Sequence, residues 1–172
     1  RRKVNIVHTP ESNMKLASGV APVPKMLAKG LTVALGTDGC ASNNDLDLFG
    51  EMDRAAKLHK VVCEDPTVMT ARQVIRMATI EGAKALGMAH VIGSLEPGKQ
   101  ADIIIIDTGK PHLTPLYHPE SHLVYAVSGA DVSDVFVAGR AIMRNYVPLT
   151  LDMDAVMEKA QSSALRIREN RA

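Results

Sequence analysis

The sequence predicts an α/β protein, and three observations lead there. Residues 3–7 form a short β-type run, residues 19–30 read as a helix, and residues 31–36 are a near-continuous apolar run. The order is therefore β-α-β, and an apolar run without alternation is the pattern of a parallel strand covered on both faces. That run ends in Thr37-Asp38-Gly39-Cys40-Ala41-Ser42-Asn43-Asn44, a loop of small and polar residues at the C-terminal end of the strand. In β/α barrels the catalytic groups gather at that end of the strands.

The elements follow in chain order. The first strand runs into His8-Thr9-Pro10-Glu11-Ser12-Asn13, a polar, Pro-containing stretch that reads as a loop. In the helix over 19–30, prolines sit near the first turn and Gly30 marks the stop. Over 47–62, apolar Leu48, Met52, Ala55, Ala56 and Leu58 recur at helical spacing, with charged Glu51, Asp53, Arg54 and Lys57 between them. A second helix is expected from Thr70 as N-cap to about Ala85, ended by Leu86-Gly87. Composition changes near Met88. Residues 92–102 are turn-rich and lead into the β-branched strand 103–106, and residues 134–144 read as two short strands joined at Gly139. From Asp152 to Arg171, apolar Val156, Met157, Ala160, Ala164 and Ile167 alternate with charges, as in a helix lying on a surface.

Bulk composition narrows the function classes. The chain has 172 residues, 46% hydrophobic and 23% charged, which is the balance of a globular protein. Lys and Arg number 20 against 19 Asp and Glu, so there is no basic footprint for nucleic acid or an anionic membrane surface. Aromatics are 3% and Trp is absent, which argues against stacking platforms for single strands. Apolar runs such as residues 103–106 fall far short of the roughly 20 residues that span a bilayer. Cys40 and Cys63 are too isolated for a disulfide framework, so a reducing cytoplasm is expected. The chain opens on Arg1-Arg2-Lys3 with no initiator Met and no apolar signal core, which points to a fragment of a longer protein.

Taken alone, Asp38-Gly39 reads equally as a common turn or as the cap of the next helix. His8, at a strand end, could bind metal, polarise a substrate or hydrogen-bond its loop. Ser12 and Asn13 are ordinary turn formers that could also shape a substrate loop. Cys40 has no general base paired with it and is read as inert packing. His112, His118 and His122 share one stretch, but their spacing fits no structural zinc pattern. The methionines are read as adaptable core filler.

The segments Val7-His8-Thr9-Pro10-Glu11-Ser12-Asn13-Met14-Lys15-Leu16-Ala17-Ser18-Gly19, Leu35-Gly36-Thr37-Asp38-Gly39 and Asn43-Asn44-Asp45-Leu46-Asp47-Leu48-Phe49 together resemble one family. It is the 5-methylthioadenosine and S-adenosylhomocysteine deaminases, in the triazine-hydrolase-like group of the metal-dependent amidohydrolase superfamily. Residues 93–102 resemble the superfamily's return to a small β-sandwich, and residues 135–140 its last strand pair. The resemblance implies that residues 1–87 supply the last two β/α units of a TIM-like barrel, 88–148 the C-terminal part of the β-sandwich, and 149–172 a terminal helix. The earlier strands, with their His-x-His pair, further histidines and proton-shuttling Glu, have no counterpart here.

By this resemblance Asp38 matches the aspartate that joins the histidines in holding one divalent metal ion, zinc first, with iron or manganese as alternatives. It also matches the carboxylate that accepts a proton from the attacking water. The metal-binding and catalytic histidines fall upstream, which leaves His8, Ser12 and Asn13 to the substrate pocket or its supporting layer. The implied reaction is hydrolytic deamination of an adenosine-type small molecule by the full protein. The chain alone is expected to be inactive and not to retain the metal. Guanine, cytosine or a chlorotriazine remain open as substrates. A non-catalytic reading is also open, because two barrel strands without neighbours expose backbone edges that invite homo-oligomerisation or pairing with the missing N-terminal part.

Overall fold

The computed structural model describes residues 4–169 and shows a mixed α/β fold with two small sheets. Strands β1 (Ile6–His8) and β2 (Val33–Leu35) run parallel, with Ile6 opposite Val33 and His8 opposite Leu35. Lys3, the expected start of β1, lies outside the described residues. Side chains alternate along strands, so Ile6, His8, Val33 and Leu35 share one face while Val7 and Ala34 share the other. Gly36 extends β2 past Val7, and a Cβ there would sit 2.8 Å from Val7 Cγ1. A side chain at position 36 would require the Val7 side chain to move.

Two helices connect the strands. The stretch expected as a loop after His8 contains a helix, α1 (Pro10–Lys15). Pro10 presets φ at the first helical position, where no amide is needed, and the Asn13 amide donates to Thr9 O at 3.1 Å. Glu11 in the first turn and Lys15 in the last complement the helix dipole. The next helix, α2 (Val23–Ala28), is shorter than expected because Gly19, at φ 89°, and Pro22 keep the preceding chain non-helical.

Beyond β2, Asp47 caps α3 (Leu48–Cys63) by accepting from the Phe49 amide at 2.9 Å. The helix expected over 70–85 divides into α4 (Ala71–Ala78) and α5 (Ile80–Ala85). Thr70 opens α4 with a reciprocal capping box to Gln73. Thr79 breaks the pair at φ −126°, ψ −99°, and its hydroxyl donates back to Ile75 O at 2.7 Å.

The second sheet is antiparallel in the order β3 (Ile103–Ile106), β4 (Val132–Val137), β5 (Arg140–Arg144) and β6 (Val147–Pro148). The hairpin expected at Gly139 is present: Ala138 and Gly139 both have positive φ, as a two-residue type I′ turn requires. Asn145 and Tyr146 repeat that geometry and add β6, which sequence pattern did not predict. Between β3 and β4 lies α6 (Pro119–Tyr125), also unforeseen. The terminal helix α7 (Met153–Glu169) has no buried residue.

One core lies on the β1–β2 face that carries Val33 and Leu35. It gathers Val23 from α2, Met52, Ala55 and Ala56 from α3, Val74 and Met77 from α4, and Val124 from α6. The methionine expectation holds for Met52, Met69 and Met77, which are buried, and fails for Met14, Met88, Met153 and Met157, which are exposed. With helices covering one face of the parallel pair, Val7 on the other is 59% exposed. Among the described residues no helix is long and apolar enough to cross a membrane.

Candidate active site

Asp38 follows β2 three residues beyond its C-terminal end. Its backbone is left-handed at φ 63°, a conformation that Asp and Asn tolerate better than most residues and that tends to persist at functional sites. Two serines hold the exposed carboxylate. Ser42 Oγ and Ser12 Oγ each donate to Asp38 Oδ2 at 2.7 Å. The Ser42 hydroxyl, the Ser12 hydroxyl and the Gly39 amide keep Asp38 below the usual carboxylate range, so it is a fixed anion at neutral pH. The structure thus brings Ser12 and Asp38 together. Ser42, four residues after Asp38, was not picked out from sequence; its only signal was that spacing inside a tight turn.

The other sequence candidates are placed differently. His8 is 2% exposed and lies on the helix-covered face, where its Nε2 sits 3.1 Å from His59 Nε2. The rings are 5.0 Å apart and tilted by 41°. His8 Nδ1 is buried without a partner. Burial, and then the neighbouring His59, push the His8 imidazole down to about 4, and burial lowers His59 as well. Both rings are therefore neutral near pH 7, and their shared Nε2···Nε2 hydrogen bond has one nitrogen donating and the other accepting. NMR titration of the His8 ring in the full-length protein is therefore expected to show a midpoint near 4; a midpoint near 6.5 would contradict this burial.

Asn13 makes no hydrogen bond to Asp38; its backbone amide donates to Thr9 O and its carbonyl accepts from the Ser18 amide beyond α1. Cys40 is exposed, a correction to the packing expected of it, because the tight turn after Asp38 carries it outward. His112 bonds Asp131 at 3.1 Å, and His122 Nδ1 lies 3.2 Å from His118 O, so the histidines of that stretch form no cluster. A depression of about 640 Å³ lined by Thr70, Arg72, His118 and Glu120 does not include Asp38.

Behind Asp38 lies a network that the sequence reading missed. Glu51, read there as one of the charges between apolar positions, is 0% exposed. Its Oε1 accepts from Asn43 Nδ2 at 2.6 Å and its Oε2 from the Glu11 amide at 3.1 Å. Glu11 pairs with Arg54 at 3.1 Å. Burial pushes the Glu51 carboxyl up to about 7. The signal was present: Glu51 and His59 flank Ala55 at four-residue steps on the buried face of α3.

A divalent ion suits Asp38, a hard, ionised and accessible oxygen donor. Among the described residues there is no group of three or more His, Cys, Asp or Glu able to hold one, so Asp38 would need ligands from elsewhere to complete a site.

The chain is similar to known proteins in sequence and fold. A 5-methylthioadenosine/S-adenosylhomocysteine deaminase of Syntrophobacter fumaroxidans is 58% identical over 167 residues, covering 97% of this chain and 38% of that protein. A 5'-deoxyadenosine deaminase of Methanosarcina acetivorans is 56% identical, covering 95% of this chain and 38% of its own length. The crystal structure of an adenosine deaminase from Xanthomonas campestris with bound zinc superposes with a TM-score of 0.94 at 43% identity, over 96% of this chain and 38% of that one. Atrazine chlorohydrolase from Arthrobacter aurescens complexed with zinc gives a TM-score of 0.83 at 28% identity, over 93% of this chain and 36% of that one. The chain therefore spans about 38% of the length of the curated relatives it matches. The amidohydrolase family model matches residues 1–142, and the chain belongs to the amidohydrolase family.

Proposed function

We propose that this chain is the C-terminal part of a metal-dependent aminohydrolase that deaminates adenosine-type nucleosides. The observation that carries the reading is Asp38, an ionised carboxylate at the C-terminal edge of a parallel strand pair, gripped by hydroxyls from two different segments. The names of the relatives support the substrate class: 5-methylthioadenosine, S-adenosylhomocysteine and 5'-deoxyadenosine deaminases.

In this reading Asp38 ligates one divalent ion, zinc by analogy with the zinc-containing neighbours, and the remaining ligands come from residues outside this chain. Such an ion makes hydroxide available near neutral pH. Asp38 takes the proton of the attacking water on its carboxylate and returns it toward the departing ammonia. Ser12 and Ser42 keep that carboxylate ionised and oriented, which is what a ligand and proton acceptor requires. His8 and Asn13 support the strand end and loop from behind the pocket. Residues 1–87 form the end of the barrel, 88–148 the sandwich portion and 149–172 the terminal helix. Two exposed free cysteines, Cys40 and Cys63, support a reducing cytoplasmic setting.

The same reading supplies the partner. Among the described residues β1 and β2 pair only with each other, so each keeps an open edge that the N-terminal part of the protein would fill. Homo-oligomerisation is the second use of those edges, and sedimentation of the chain as a well-behaved monomer at high concentration would count against it.

Ammonia release by the full-length protein tests the function. 5-Methylthioadenosine, S-adenosylhomocysteine and 5'-deoxyadenosine are expected to exceed guanine, cytosine and a chlorotriazine by at least about 100-fold in kcat/KM. Preferential turnover of the latter group would keep the family and overturn the substrate.

A further inference from the structure

We infer that Glu51 is a positioning residue for Asp38, joining through its two carboxylate oxygens the two segments whose serines grip that side chain. The inference rests on the reading of Asp38 as metal ligand and proton acceptor.

The connectivity is symmetrical. Glu51 Oε2 accepts from the Glu11 amide, and the next residue, Ser12, donates to Asp38 Oδ2. Glu51 Oε1 accepts from Asn43 Nδ2, and the preceding residue, Ser42, donates to the same Asp38 oxygen. The Asn43 amide also donates to Gly39 O at 3.0 Å, so the residue after Asp38 is tied to the same post. Each oxygen of Glu51 therefore controls one of the two hydroxyls on Asp38.

The chemistry of the post demands a carboxylate. Asn43 Oδ1 accepts from the Leu46 amide at 2.7 Å, which leaves only its NH2 to face Glu51. The Glu11 partner is a backbone N–H. Both neighbours donate, so Glu51 must accept twice. A glutamine would put a donor against a donor on one arm. The charged groups around it are Glu11, Arg54 and Asp45, and Arg54 is taken up by Glu11. Burying a carboxylate here without an ion-pair partner of its own opposes folding, as its raised proton affinity shows. An apolar residue would serve a purely packing role at lower cost. What the carboxylate adds is a double acceptor between α1 and the Asp38 loop.

The test uses the full-length protein and zinc. Glu51→Gln is expected to lower kcat and zinc affinity, read by chelator competition, each by about 10–100-fold, with KM within about twofold. Adding Asn43→Asp reverses the polarity of one arm: the new amide donates to the new carboxylate, which still accepts from the Leu46 amide. This double variant is expected to recover most of the lost kcat and zinc affinity. A folded Glu51→Gln with both values unchanged, or a folded double variant no better than the single one, would overturn the inference. If Glu51→Gln does not fold, the double variant decides: folded and active supports positioning, whereas folded without zinc affinity, or unfolded, overturns it. Asp38→Asn is measured alongside. Unchanged activity there sinks the functional reading, while loss there with none in Glu51→Gln sinks only the role of Glu51.

Discussion

Asp38→Asn in the full-length protein is expected to lower kcat for deamination by about 100- to 10,000-fold, the range a positioned proton acceptor contributes. The substitution is close to isosteric. Asparagine tolerates the left-handed φ of 63° as well as aspartate does, and its amide oxygen can accept from Ser12 and Ser42 in place of Oδ2. The fold should therefore survive, with a Tm within a few degrees of the parent, while the anionic ligand and the proton acceptor are both lost. Stopped assays of ammonia release, paired with metal analysis of the purified variant, check both halves. A variant that keeps its metal and its rate would remove Asp38 from the chemistry.

Met77→Ala is the substitution with the largest expected effect on stability. Met77 is 1% exposed and sits in the cluster that joins α4 to Val33 of β2, Val74 of its own helix and Val124 of α6. Truncation removes the transfer energy of the lost atoms and leaves a cavity, together costing about 2–5 kcal/mol. Urea unfolding should show the midpoint falling with little change in slope. Because Met77 lies on the helix-covered face, away from Asp38, the folded fraction should keep its kcat. A loss below about 1 kcal/mol would mean that the core closes over the gap more easily than a packed cluster does.

Much of the fold was legible in the residues because local rules and tertiary packing agree. The apolar run of β2, the start of α3 near Asp47, the capping residue Thr70 and the Gly139 hairpin all appear where pattern placed them. The misses share a cause. α1 and α6 are helices of only 6 and 7 residues, each beginning at a proline, and helices that short are held by packing more than by periodicity. The break at Thr79 turns on one side-chain hydrogen bond that no periodicity reveals.

The site was legible in a similar way. Asp38 and Ser12 stand out in the sequence because each lies in a contiguous motif, and the structure brings the two side chains together across 26 positions. Glu51 and His59 were passed over because a charge and an imidazole on a helix read as a solvated face, although their spacing with Ala55 marks the buried one. That spacing was the stronger signal. It put Glu51 between the Glu11 amide and Asn43, and His59 against His8, on the buried side of α3.

The most direct test of the account is a crystal structure of the full-length protein with its metal located by anomalous scattering. The account predicts an Asp38 carboxylate oxygen bonded to the ion, with Ser12 and Ser42 still donating to the same side chain. An ion bound elsewhere, with Asp38 out of coordinating reach, would contradict it.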